Sequence, residues 1–117
     1  MIRATLALLL LAAPVFAQQA AEGRGGVVRW LDKLTGEVAD LDLSRGQSVE
    51  RGRLTIQLDH CRYPVADPAS NAYAHLTIID KLKPEPVFSG WMIASSPALS
   101  ALDHPRYDVW ILRCDTE

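Results

Sequence analysis

From Arg53 to Tyr63 the chain alternates apolar and polar residues. Leu54, Ile56 and Leu58 take one side, and Thr55, Gln57 and Asp59 the other. A period of two puts one dry and one wet face on a β-strand and does not suit a helix. The same alternation marks Glu37 to Leu43, with Ala39, Leu41 and Leu43 in phase, and Ala72 to Lys81, with Ala74, Leu76 and Ile78. Val27 to Lys33, Gln47 to Arg51, Val87 to Ala94 and Tyr107 to Cys114 also read as strands. The last is apolar on both faces, which predicts a central strand. Turn formers recur about every ten residues, among them Leu34-Thr35-Gly36, Ser44-Arg45-Gly46, Gly52 and Pro64 to Asn71. The expectation is an all-β chain: a small antiparallel β-sandwich or barrel of six or seven short strands. One short helix is expected near residues 96–103, with Ser96 as its N-cap, Pro97 at its first position and His104-Pro105 ending it. Within Arg53 to Tyr63 the apolar phase slips by one residue before Cys61, which predicts a β-bulge near Asp59-His60.

The first 17 residues do not fit this pattern. Arg3 precedes an apolar run from Thr5 to Ala13, Pro14 breaks it, and Val15-Phe16-Ala17 offers small residues around a cleavage point. This is the layout of a secretory signal peptide, cleaved after Ala17, and the run is too short for a stable membrane anchor. Residues 18–26, rich in glycine and without apolar periodicity, read as a flexible leader. Residues 27–117 form one β-rich domain, with no transmembrane segment after cleavage. Cleavage shifts the formal net charge from −2 to −3, since one arginine and no acid is lost. No Lys/Arg excess of the kind that binds nucleic acid is present. Cys61 and Cys114 both fall in the exported part, where two thiols pair, so a disulfide between them is expected. Four-thiolate zinc sites are excluded by the count of two cysteines.

Candidate chemistry is sparse. Ser95, Ser96, Ser100, Asp103, His104 and Asp108 contain the residue types of a hydrolytic triad. No G-x-S-x-G elbow accompanies them, and a cap at Ser96 with His104 at the helix end is the simpler reading. His60, His75 and His104, with Asp59, Asp103 or Asp108 to complete a set, lack the spacing of a metal motif. No cofactor, metal or catalytic residue is therefore assigned. Trp30, Trp91 and Trp110 are mainly core candidates. Trp91, after the Gly90 break, is the one placed to show its ring. The candidate interaction surface is Trp91, Met92, Ser95, Ser96, His104 and Tyr107, and a ligand pocket would be lined by Trp91 and Tyr107.

The stretch VFSGWMIASSPALSALDHPRYDVWILRC, Val87 to Cys114, resembles the signature block of an uncharacterised alphaproteobacterial family of exported proteins, domain of unknown function 2155 (DUF2155). LDKLTGEV and GRLTIQLDHCRYP are similar to its other blocks, the second including its first cysteine. The resemblance spans about Val27 to Cys114 and implies a small exported, periplasmic domain. It implies no activity. It also points to an accessory role beside respiratory NADH:ubiquinone oxidoreductase as one alternative. The leading expectation is a non-enzymatic periplasmic domain that binds another protein or complex of the cell envelope. A small-ligand or carbohydrate-binding module is the second reading.

Overall fold

The computed structural model describes residues 19–116. The expected signal peptide lies outside the described residues. Within them, eight strands follow one another: β1 (Ala20–Glu22), β2 (Gly25–Asp32), β3 (Val38–Ser44), β4 (Ser48–Arg51), β5 (Leu54–Pro64), β6 (Tyr73–Asp80), β7 (Phe88–Ile93) and β8 (Tyr107–Asp115). They form two antiparallel sheets. One runs β1-β5-β6-β7 with β4 also paired to β5, and the other runs β3-β2-β8. Neither closes into a barrel among the described residues, so the architecture is sandwich-like. The alternating residues meet between the sheets: Leu54, Ile56 and Leu58 of β5, Leu76 and Ile78 of β6, and Val28, Trp30 and Ile111 from the facing sheet are all buried.

Seven strands match the seven alternating or apolar segments, and β1 is the addition. It overturns the reading of residues 18–26 as a flexible leader. Ala20, Ala21 and Glu22 pair with Pro64, Tyr63 and Arg62 of β5, while Gly25 and Gly26 open β2. The glycines of this segment serve close approach rather than flexibility. A Cβ on Gly26 would lie 2.9 Å from Cys61 Sγ and 2.8 Å from the Arg113 carbonyl oxygen.

Two further expectations change. The helix over residues 96–103 shrinks to one 3-10 turn, Pro97–Leu99. Ser96 makes no side-chain cap bond there, and the turn buries none of its residues. A longer helix would have no apolar stripe to bury, since Leu99 is exposed and only Leu102 reaches the core. The last strand, β8, is an edge of its sheet rather than the centre. Its second apolar side is half-buried, and Val109 and Trp110 share a shallow cleft with Pro97, Ala98, Ala101 and Leu102.

Each cysteine sits just past a β-bulge. The β5–β6 register runs Leu58↔Leu76 and then His60↔His75, leaving Asp59 as the extra residue. The β2–β8 register runs Val28↔Ile111 and then Val27↔Arg113, leaving Leu112 as the extra residue. Each bulge shifts the facing of the residues after it by one position. Cys61 and Cys114 are thereby turned into the interior, where they form a disulfide with Cα atoms 5.7 Å apart, joining the two sheets.

Candidate functional site

His104 and Arg106, from the Val87-to-Cys114 block, join Asp32, Arg53 and Asp80 in a largely buried network. Asp80, fully buried at the end of β6, accepts the Leu82 backbone N–H at 2.9 Å, and its other oxygen lies 2.8 Å from His104 Nε2 and 3.3 Å from Arg53 Nη2. His104 Nδ1 accepts the backbone N–H groups of Arg106 at 3.0 Å and Tyr107 at 3.2 Å. Those two donors require a bare Nδ1, so the proton sits on Nε2 and is donated to Asp80. The Leu82 N–H, the His104 bond and the Arg53 charge together hold the Asp80 carboxyl down at about 2, against burial. Alongside, Arg106 makes a two-pronged pair with Asp32, at 3.2 and 2.9 Å, and lowers that carboxyl to about 2 as well. The network ties the long connection before β8 to the ends of β2 and β6. It also occupies both nitrogens of His104, so neither is left to take a proton from Ser95 or Ser96.

The exposed chemistry lies on the other side of the larger sheet. Strand register sets two adjacent rows there: Glu22, Arg62, Tyr73 and Ile93 in one, His60, His75 and Trp91 in the next. Trp91 is 39% exposed. The Arg62 guanidinium lies over its ring at 5.1 Å, His60 stacks at 6.1 Å, and His75 meets it edge-on at 5.3 Å. Ala20, Arg62, Tyr73, Trp91 and Ile93 line an open, mainly apolar groove. Carboxylates flank the basic side chains. Glu22 reaches Arg62 Nε at 3.0 Å and His60 Nδ1 at 2.8 Å, and Asp59 in the bulge reaches His75 Nδ1 at 2.8 Å and accepts the Thr77 hydroxyl at 2.7 Å.

The expected interaction surface is therefore divided. Trp91 and Ser95 are exposed and Ser96 is half-buried. Met92, His104 and Tyr107 are not surface residues, at 1%, 5% and 1% exposure. Met92 alternates with Trp91 and so faces the core. His104 is held by Asp80, and Tyr107 packs between the sheets with its ring 5.5 Å from that of Trp30. The aromatic beside Trp91 in the groove is Tyr73, not Tyr107. Ser95 Oγ accepts the Asn71 amide at 2.9 Å, away from His104's bonds. Arg62, Tyr73, His60, His75 and Ile93 join the surface without having been expected there. Their signal is the i, i+2 spacing of 60/62, 73/75 and 91/93, which places each pair on one face but leaves open which pairs align.

Fold and outer face together define a small β-sandwich-like domain, linked by one disulfide, with an aromatic and basic groove. The profile of DUF2155, described as an uncharacterized protein conserved in bacteria, matches residues 26–114, and the chain belongs to this family. An uncharacterised protein of Rickettsia prowazekii (strain Madrid E) is 29% identical over 92 residues. That match takes in 76% of this chain, and the chain spans 59% of the relative's length. No solved structure matches. Among the described residues no helix is long and apolar enough to cross a membrane.

Proposed function

We propose that this chain is a non-enzymatic periplasmic β-domain that binds another protein of the cell envelope through the outer face around Trp91. The observation that carries the reading is the cluster of Trp91, Tyr73 and Arg62 around one apolar groove. Tryptophan, tyrosine and arginine are the residue types that dominate binding energy at protein interfaces. Trp91 is also restrained by its neighbours, which lowers the entropy lost on docking. The signal-like N-terminus and the disulfide joining the sheets suit an oxidising compartment. A photo-crosslinking residue at Ile93, beside the groove, tests the proposal in cells. One reproducible adduct with an envelope protein, lost in Trp91→Ala, is the expected result. Native protein that elutes alone as a monomer and yields no adduct overturns it.

The groove also supports a second reading, a small ligand such as a sugar stacked on Trp91 and Tyr73. Glycan-array binding that disappears in Trp91→Ala, without any protein adduct, would favour this over the protein-binding role.

A further inference from the structure

A strand at the edge of a sheet leaves one row of backbone N–H and C=O groups without a neighbour, and folds guard that row with charges, proline or short length. Among the described residues the other edge strands carry such guards. β1 is three residues long with Glu22, β3 holds Asp40 and Asp42, β4 is four residues long with Glu50 and Arg51, and β8 holds Asp108, Arg113 and Asp115. β7, from Phe88 to Ile93, has no charge and no proline. It lies within a run from Pro86 to Leu102 that holds no charged side chain. Its register with β6 fixes which groups face the edge. Ala94 donates its N–H to the Ala72 carbonyl at 2.9 Å, and the ladder steps on through Met92↔Ala74, Gly90↔Leu76 and Phe88↔Ile78. Bonded pairs recur at every second residue of an antiparallel pair, so the even-numbered residues bond β6. Ser89 and Trp91 therefore turn their N–H and C=O groups outward. Both residues are exposed, and among the described residues neither has a backbone partner on that side.

We propose that β7 pairs with β7 of a second copy of this chain, antiparallel about a two-fold axis at Gly90, so that one sheet runs on through both subunits of a homodimer. The strand is self-complementary in this register. Ser89 opposes Trp91 of the second copy, and Trp91 opposes its Ser89, so the outward groups meet as bonded pairs. Gly90 opposes Gly90 at a non-bonded position, where Cα atoms come within about 4.5 Å and the missing Cβ leaves that approach free. On the outer face the small Ser89 side chain lies beside the Trp91 ring of the second copy. On the inner face Phe88 meets Met92, a favourable aromatic–thioether contact. No like charges oppose each other at any position. The same operation on β3 would crowd Asp40 and Asp42 against their own copies, which is destabilising. The Trp91 groove runs from Trp91 and Tyr73 toward Arg62 and Ala20, away from this edge, so both copies keep it.

Sedimentation equilibrium of the exported chain over a dilution series should show a reversible monomer–dimer equilibrium. Amide exchange should find Ser89 and Trp91 protected at high concentration and released on dilution. Ser89→Pro removes an outward N–H without touching a bond to β6, and Ser89→Lys adds the charge this edge lacks. Each substitution acts twice across the two-fold axis. Each should weaken dimerisation by about tenfold or more while keeping the monomer's circular dichroism spectrum. Gly90→Cys tests the register. Its Cβ would meet only the Phe88 ring, at 3.5 Å, and the opposed Cα atoms would fall within disulfide range. Mild oxidation with diamide should convert this variant to a covalent dimer. Monomer mass at every concentration overturns the proposal. So does a dimer that both Ser89 variants leave intact, or edge protection that arises only when a different polypeptide is added. The pairing does not use the Trp91 groove, so its failure leaves the envelope-protein reading standing.

Discussion

His104 donates its Nε2 proton to Asp80 across 2.8 Å of protein interior, joining the connection before β8 to the end of β6. The same ring accepts two backbone N–H groups on its opposite nitrogen, so one side chain satisfies a buried carboxylate and the backbone leading into the last strand.

Removing that ring leaves Asp80 short of a partner and two backbone donors unmatched. His104→Ala is expected to lower unfolding stability by about 2–4 kcal/mol, the cost of leaving a buried carboxylate oxygen and two backbone donors short of a hydrogen-bond partner. His104→Asn, whose side-chain oxygen can still accept the backbone N–H groups, should lose distinctly less. Urea denaturation of both variants measures the difference, and equal losses would show that the Nδ1 bonds contribute nothing.

Stability should fall in acid within a defined window. Asp80 and Asp32 have folded values of about 2, below their unfolded values of about 4. Depressed carboxyls stabilise the fold above the unfolded value and lose that contribution as pH drops toward the folded one. The urea midpoint should therefore hold steady down to about pH 4.5 and decline between about pH 4 and 2. A midpoint that changes little across that window would contradict the assigned bonding.

One acidic contact works in the opposite sense. Burial, and then the nearby Asp42, raise the Asp115 carboxyl. A raised carboxyl opposes folding at neutral pH and ceases to do so once it is protonated. Asp42→Asn should raise the thermal midpoint at pH 7, and the gain should vanish below about pH 4. Calorimetry at the two pH values decides this.

Gly26→Ala should be destabilising by about 1–3 kcal/mol, the range for overpacking, because its Cβ would meet Cys61 Sγ and the Arg113 carbonyl. Gly36→Ala meets no side chain or backbone, but its φ of 77° is unfavourable for alanine, so a loss of about 1–2 kcal/mol is expected there. Matched unfolding curves in reduced and oxidised protein separate the two, since only Gly26 touches the disulfide.

Strands are legible wherever polarity alternates. Leu54, Ile56 and Leu58 mark the inward face of β5, and the phase slip before Cys61 discloses its bulge. The matching bulge at Leu112 is hidden because β8 is apolar at successive positions, which carry no phase to slip. Gly23, Gly25 and Gly26 read as looseness, since composition does not distinguish a glycine needed for flexibility from one needed for contact. The surface residues are only partly readable. Trp91 stands out as an aromatic after a glycine break, whereas Met92 and Tyr107 require the strand's facing and His104 requires its partner from β6. Arg62, Tyr73 and His75 become neighbours of Trp91 only through cross-strand register, which a single strand does not encode.

The extra residue at Asp59 acts as a parity switch. Upstream of it even-numbered side chains of β5 enter the core, and downstream Cys61 enters while His60 and Arg62 leave. Were β5 to alternate regularly through Asp59, with no residue left out of register, those roles would be exchanged. The sulfur would be presented to solvent, out of reach of Cys114, and a histidine and an arginine would be driven between the sheets. The covalent link and the outer face around Trp91 thus share a single backbone origin. Straightening that one irregularity in the ladder would remove both together, even though neither the disulfide nor the groove residues had been altered.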